Sequence, residues 1–482
     1  MIRKTVVRRN RYLDSVFLMQ VARRMSERPG IEDASALLGT DANKAVLAGL
    51  GFEVLDAGPN DLVVALAGEA AAVDAVATDL EVWLAPGVPG AAPDPRSLEE
   101  ALRTRDADLA VISVPGAHAA REARAALHAG LHVFLFSSNV SLEDEVSLKL
   151  EARDRGLIVM GPDCGTAYLA GAGLGFTNAI RRGPIGLVGS TGTGMQEFAC
   201  LVHLAGSGIS NGIGTGGRDL SDAVAGISTL AGIDALEADP ATRVIAVLSK
   251  PPGAAATRKL AERLERCAKP VVQCLLGGED TLDDAVIRAL REVGVEAPAF
   301  LLPRTDPPFL GLRPEQRHVR GLFAGGTLCY QAQAIFRQAG LTVHSNAPLH
   351  GMETLEDPDR SLGNTFLDMG AEYFVEGRPH PMIDGTQRRR RLEKELRDPS
   401  VGVLLLDFIL GTLSSPDPVG EVLDLLPGGL CVAASVCGTE GDTQGLESQV
   451  RALKEAGVRV FPTAAQAARF CRDVALTLQE GL

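Results

Sequence analysis

The run Gly189-Ser190-Thr191-Gly192-Thr193-Gly194 follows the apolar stretch GPIGLV and precedes the helical pattern MQEFACLVHLAG. Glycines in such a turn let successive amide N–H groups converge on an anion, the hydroxyls add donors, and the positive end of the helix contributes roughly 0.3–2 kcal/mol. The turn lacks GxxxxGK[ST] and so is not a nucleoside-triphosphate P-loop. The competing reading is a tight turn that uses glycine only for its conformation. Three further turns share the chemistry: Gly325-Gly326-Thr327, Gly411-Thr412-Leu413-Ser414-Ser415 and Gly438-Thr439-Glu440-Gly441-Asp442. Two helix starts aimed at one phosphate from opposite sides form a cradle suited to an acyl phosphate. Lys250, which ends VIAVLSK, supplies a cation for it, with a solvated lysine as the alternative. Arg378 and His380 sit in GRPHPMID, where a guanidinium could hold a carboxylate or the prolines could stiffen a loop. Asp368 in NTFLDMG orients substrate or caps a turn, and Cys164 in GPDCGT is a nucleophile or a small buried group. Arg388–Arg391 reads as a solvated helix start.

These residues need a scaffold of strands feeding helices, and the composition points to one. The 482 residues correspond to about three domains. The 53 glycines cluster after short apolar runs, where strand-to-helix turns need them, which marks an α/β protein. Residues 1–84 alternate apolar runs with helical patterns and predict a small α/β domain. The stretch PGVPGAAPDP (86–95) marks a linker, and a second domain over 85–182 shows a β-α-β-α-β series implying a parallel sheet. A third unit, 183–300, opens on the glycine turn. The stretch 301–317, with four prolines, is a linker to a fourth unit, 318–482, that repeats the third. GLFAGGTL (321–328) matches GLVGSTGT (186–193), VGVLLLD (401–407) answers VIAVLSK (244–250), and two doubly wound halves are expected to face each other. The second half carries a long insertion at about residues 345–399.

Composition also excludes. A formal charge of −14 repels phosphate backbones and anionic membranes, so neither nucleic acid nor a membrane is expected as partner. The eight cysteines form no CxxC pair, so no metal site and no disulfide framework is expected. The basic start is followed by amphipathic SVFLMQVARRM instead of an apolar core with a cleavage site, and a cytoplasmic location follows.

Together these motifs resemble a known family. Through VPGAH, FLFSSNVS, MGPDCG, GLVGSTGTGMQE, GIGTGGRDLSDA and KPVVQCLLGG, residues 99–300 are similar to the α subunit of succinyl-CoA synthetase. Through GGTLCYQAQAI, NTFLDMG and VGVLLLDFILGTLSSPDP, residues 318–482 resemble the carboxyl domain of its β subunit. The whole arrangement resembles the FdrA family of acyl-CoA-synthetase-like proteins. The resemblance implies a Rossmann-like CoA-binding-type domain and two flavodoxin-like domains behind the small N-terminal one. It also implies a subunit of an oxamate carbamoyltransferase-like enzyme of allantoin breakdown, converting oxalurate and phosphate to oxamate and carbamoyl phosphate. Ser190–Gly194, Gly411, Thr412, Ser414 and Ser415 would then hold phosphate, Lys250 would neutralise it, and Arg378 with His380 would meet the carboxylate substrate. Further protein subunits are expected. The synthetases relay phosphate through a histidine after the strand matching KPVVQCLLGG, but here the chain continues GEDTLDDAVIRAL, without one. Residues 85–98, where the family's CoA loop belongs, are a Pro/Ala stretch, so CoA stays open and no other cofactor is implied. The alternatives are a nucleotide-dependent acyl-CoA synthetase and a non-catalytic scaffold binding an anion or acyl-CoA.

Overall fold

A computed structural model describes residues 2–13, 15–53, 56–84, 95, 97–303, 311–376, 378–426 and 430–479. The sequence-predicted linkers fall mostly outside them, at 85–94 and 304–310. The chain forms two compact units, Met1–Ala107 and Asp108–Leu482. No helix among the described residues is long and apolar enough to cross a membrane.

In the first unit β1 (Ile2–Arg8), α1 (Ser15–Ser26), β2 (Ile31–Leu38), α2 (Asp41–Gly49), β3 (Leu62–Gly68) and α3 (Ala70–Thr78) are followed by the short helices α4 (Leu80–Trp83) and α5 (Leu98–Leu102). The sheet order is β1-β3-β2, with β3 antiparallel to both neighbours, so β1-α1-β2 is a split crossover around β3. LVVALAG is apolar throughout because both faces of β3 are covered. Leu62, Val64 and Leu66 meet α1 residues Leu18, Val21 and Met25, while Val63, Ala65 and Ala67 meet Leu47 of α2.

The second unit opens with β4 (Leu109–Ile112), α6 (Gly116–His128), β5 (His132–Leu135), α7 (Leu142–Asp154) and β6 (Val159–Met160), a parallel three-stranded layer. A hairpin, β7 (Thr166–Leu169) and β8 (Ala172–Gly175), leads into β9 (Arg182–Gly189), α8 (Gly192–Leu204), β10 (Ile209–Gly214), α9 (Ile227–Ala238), β11 (Val244–Ser249), α10 (Ala254–Leu264), β12 (Val271–Leu275) and α11 (Leu282–Glu292). Its sheet runs β12-β11-β9-β10-β7-β8. The last sheet uses β13 (His318–Phe323), α12 (Gly326–Gln338), β14 (His344–Ser345), β15 (Glu353–Thr354), β16 (Thr365–Asp368), α13 (Glu372–Val375), α14 (Thr386–Glu395), β17 (Val401–Ile409), α15 (Gly420–Leu423), β18 (Cys431–Cys437), α16 (Leu446–Glu455), β19 (Arg459–Phe461) and α17 (Ala464–Gln479). Its order, β15-β14-β16-β13-β17-β18-β19, is parallel throughout.

One apolar cluster joins the two large sheets. Met195 and Phe198 of α8, Val286 of α11, Cys329 and Phe336 of α12, and Ala465 and Ala468 of α17 lie in it, with strand residues of both halves. Burying each helix against both sheets merges the two cores, which is why residues 108–482 form a single compact unit.

Two sequence expectations change here. Leu187 of β9 pairs with Ala246, and Leu322 of β13 pairs with Leu406. Matched on those pairs, Lys250 corresponds to Leu410, three residues beyond Asp407, because β17 has nine residues against six in β11. The run Arg388–Arg391 is not a solvated helix start: Arg388 and Arg391 are buried. Arg391 Nε donates to Glu395 (2.6 Å), which also accepts from Arg320 (2.8 Å), so the arginines pin α14 beneath the sheet.

Candidate functional site

In an open parallel sheet the crevice lies beyond the carboxyl ends of the strands, where connections diverge to opposite sides. Strand β9 leads through α8 to β10 on one side, with β11 on the other, so the Ser190–Gly194 turn and Lys250 share that crevice. Ser190 has its amide bonded to Leu248 O (3.0 Å) and its hydroxyl to that of Ser249 (2.9 Å), so it supports the turn from inside and offers no free amide. The first amide bonded within α8 is that of Met195, to Thr191 O. The amides of Gly192, Thr193 and Gly194 precede it, no side chain caps them, and the first turn of α8 carries no acid.

The turn of the second half meets this one directly. The hydroxyls of Thr191 and Thr327 are hydrogen-bonded, and a Cβ on Gly194 would lie 2.8 Å from Thr327 Cγ2. The two helix starts therefore abut, and no anion fits between the threonines, contrary to the two-sided cradle expected from the sequence. The α12 turn is also already filled. Asp407 accepts the amides of Ala324 (2.7 Å) and Gly325 (2.8 Å), and the Asp368 carboxylate presses so closely on Gly326 that a Cβ there would overlap it. Burial raises both carboxyls above their usual range, opposed by Lys250 at Asp368 and by Arg388 at Asp407. The Arg388 guanidinium lies 3.6 Å from Asp407 and 4.6 Å from the Phe408 ring centre, with Nε and Nη2 making no hydrogen bond.

Lys250 is half-buried, with Nζ 4.6 Å from the Tyr330 ring centre. Its charge draws down the carboxyls of Asp163 and Asp368, each raised by the protein around it. Exposed Asp163, half-exposed Tyr330 and buried Asp368 thus share one cation.

Other expected residues fall elsewhere. In the Gly411–Ser415 turn the amide of Gly411 donates to Gln444 (3.1 Å), Thr412 to Thr177 O (2.7 Å), Ser414 to Gly411 O (3.3 Å) and Ser415 to Met382 O (2.6 Å). The Ser415 hydroxyl donates to Glu421 (2.5 Å), and Ser414 Oγ is buried and unpartnered. Those four amides are engaged, Thr412 across to residue 177 and the other three within the second half, and offer an anion nothing. Asp442 fills the last turn, accepting from Thr439 N (2.8 Å), Ala179 N (2.7 Å) and Asn178 (2.8 Å). Arg378 is exposed and donates to Gln387 (3.3 Å). His380 stands against Gly370, which follows Asp368 by two residues. Its Nδ1 accepts the Met382 amide (3.2 Å), which puts the proton of the neutral ring on Nε2, and burial pushes its pKa down to about 4. Cys164 is buried with its thiol pushed up to about 12, so thiolate is scarce. Sequence reasoning missed Asp163, Tyr330, Asp407 and Arg388. The available signal was an acid ending an apolar strand, as in LLLDF.

Comparison with known proteins follows this architecture. Residues 1–95 match the family described as AllF, heavy metal-associated domain, and residues 322–474 match the CoA-ligase family. The YahF protein of Escherichia coli K12 is 40% identical over 489 residues, covering 94% of this chain and 95% of that protein. The ADP-forming succinate–CoA ligase α subunit of Methanothermobacter thermautotrophicus is 30% identical over 185 residues, 38% of this chain and 61% of that subunit. Among solved structures, the dinucleotide-forming acetyl-coenzyme A synthetase 1 of Ca. Korarchaeum cryptofilum, in complex with phosphate and ADP, shares 17% identity at a TM-score of 0.33, over 82% of this chain and 88% of that one.

Two groups implied by these matches fit poorly. Residues 1–95 contain neither cysteine nor histidine, so thiolate and imidazole ligands for a heavy metal are missing there. Asp61 ties the β1–α1 loop instead, accepting the Asn10 and Gly58 amides and Arg9 (each 2.8 Å), which hold its carboxyl below the usual range. For CoA, the described residues of the β4-β5-β6 layer offer one glycine at a strand-to-helix turn, Gly116, and a Cβ there would overlap the Ser138 and Asn139 carbonyls. Backbone oxygens over a helix start repel a diphosphate.

Proposed function

Because this chain belongs to the same family as the YahF protein of Escherichia coli, we propose that it is an acyl-phosphate-handling enzyme of the CoA-ligase class whose phosphate site is the start of α8 together with Lys250. The observation that carries this reading is the set of uncapped amides at Gly192, Thr193 and Gly194, at the carboxyl edge of the sheet where Lys250 follows β11, with no acid in the first turn of the helix. In this reading the amides and Lys250 hold the phosphate and stabilise the charge that develops on it as the acyl bond breaks.

The specific reaction is transfer of a carbamoyl group between phosphate and oxamate. It asks only for a bound phosphate, an electrophilic carbonyl and a cation. Residues 276–290 hold no histidine to carry phosphate elsewhere, and the poor fit to CoA points the same way. Acid–thiol ligation with a nucleotide-binding partner is the second reading, favoured by the CoA-ligase match and the succinate–CoA ligase relatives. If CoA binds, it supplies the thiol acceptor.

The test is the chain together with the proteins that co-purify from its host. Phosphate release from carbamoyl phosphate on adding oxamate, without CoA or nucleotide, is the expected result. Release strictly dependent on CoA, with oxamate inert, would defeat carbamoyl transfer in favour of ligation.

A further inference from the structure

Asp368 ends β16 at the crevice, and its backbone is fixed on both sides, by Asn346 Oδ1 accepting its amide and Asn346 Nδ2 donating to its carbonyl (2.9 Å each). Its Oδ1 accepts the Gly370 amide (2.9 Å), while Oδ2, facing Gly326, accepts no hydrogen bond among the described residues. Three hydrogen bonds thus aim the carboxylate, the Ala371 amide also favours its charged form, and Oδ2 is left facing Gly326.

Of the titratable and charged groups around it, His380 turns Nε2 toward Gly370 with no hydrogen bond there among the described residues, and the others are engaged. Lys250, from β11, is the cation of the proposed phosphate site. Asp407, from β17, has both oxygens bonded to amides of the α12 turn. On α12, Cys329 is buried and the Tyr330 hydroxyl donates to Pro348 O at 3.5 Å. His380, from the insertion, accepts the Met382 amide at Nδ1.

We propose that Asp368 is the proton carrier of this site, its free Oδ2 taking the proton of a nitrogen acceptor, so that the acceptor class is an amine or amide and not a thiol. The inference rests on the phosphate site proposed above. In the step, the nitrogen lone pair attacks the carbonyl carbon and a C–N bond forms. The bond from carbon to the bridging phosphate oxygen breaks, and its electron pair leaves with phosphate. The nitrogen proton passes to Oδ2 and then to the departing phosphate, which leaves as hydrogen phosphate, and the carboxylate is regenerated. A thiol, ionising at about pH 8.5, has far less need of a positioned base than a nitrogen that must lose its proton as the bond forms.

The experiment is calorimetric titration of the full chain with inorganic phosphate, and with sulfate, which carries no titrating proton between pH 6 and about 8. Buffers of different ionisation enthalpy count the protons exchanged. An anion placed beside the free carboxylate raises its proton affinity, so sulfate binding to wild type is expected to take up protons, and Asp368→Asn is expected to bind sulfate without that uptake. No uptake by wild type, equal uptake in wild type and variant, or loss of uptake in Asp163→Asn instead would each overturn the assignment. If neither anion binds wild type, the phosphate site itself fails, a result distinct from failure of Asp368. In the co-purified complex Asp368→Asn should slow oxamate-dependent phosphate release about 10²–10⁴-fold, with partial rescue by Asp368→Glu. Thiol-dependent release of equal rate in wild type and Asp368→Asn would overturn the acceptor class.

Discussion

Helices α8 and α12 begin alike. Each follows the first strand of its half, each starts at a glycine without a side-chain cap, and their threonines touch. They differ in what faces the first turn. At α12 two carboxylates, Asp368 and Asp407, lie against the positive end of the helix. At α8 no side chain caps the amides of Gly192, Thr193 and Gly194, the first turn carries no acid, and Lys250 follows the neighbouring strand. A helix start attracts an anion whatever its source, so the same local motif meets carboxylates of its own chain in one half and, in the proposed reading, takes a phosphate in the other.

The comparison breaks most severely at Lys250. Lys250→Met removes the cation and is expected to slow phosphate release by the co-purified complex about 10²-fold or more, with the far-ultraviolet spectrum unchanged. A loss under threefold would remove Lys250 from the chemistry.

Next in size is an exchange of character between the turns. A Cβ on Gly192 would lie 3.3 Å from Thr166 Oγ1, so Gly192→Asp asks Thr166 to give slightly, less than the 2.8 Å approach of Gly194→Asp to Thr327 would ask. It gives α8 the carboxylate that α12 already has. Phosphate at a hundred times its Kd should stabilise wild type by about 2.7 kcal/mol. The variant should show no shift at matched ionic strength, and equal shifts would place the anion elsewhere.

The middles of the two helices also differ. Glu197 of α8 is buried and accepts the Ala464 amide (3.1 Å), where the matching position of α12 is Ala332. Burial, with a contribution from Asp283, raises the Glu197 carboxyl to about 7. A raised acid binds more protons folded than unfolded, so its contribution to stability falls as pH rises from the ordinary carboxylate range through the folded value. Glu197→Gln is therefore expected to melt with wild type near pH 4.5 and above it at pH 8, measured by calorimetry. A gap that closes with rising pH would reverse the assignment.

The smallest effect is expected at the contact itself. Thr327→Val removes the hydroxyl facing Thr191 and should cost about 1 kcal/mol in urea unfolding while leaving phosphate binding in place. Loss of phosphate binding would mean that the threonine pair shapes the α8 amides.

The order of elements was legible in the chain. Short apolar runs followed by glycine turns predict parallel strands feeding helices, and β9, β11, β13 and β17 lie where those runs do. The repeat was legible too, although the strand match slipped by three residues, because an unbroken apolar strand contains no internal mark of register. The site was less so. Glycine turns were recognisable, with Gly189–Gly194 the strongest, but nothing local distinguished it from Gly411–Ser415 as a phosphate holder.

The sequence by itself determined which turns could present amides, that a cation stands at residue 250, that residues 276–290 hold no histidine and that residues 1–95 hold neither cysteine nor histidine. Those are properties of residue type and local spacing. Which turn remains open was decided only by tertiary structure. Asp368 lies 42 residues from Gly326, since 368 − 326 = 42, and Thr177 lies 235 from Thr412, since 412 − 177 = 235, so no local pattern shows that they meet. An amide is available to a ligand only if nothing in the folded chain reaches it first, and packing of the two halves settles that at each turn.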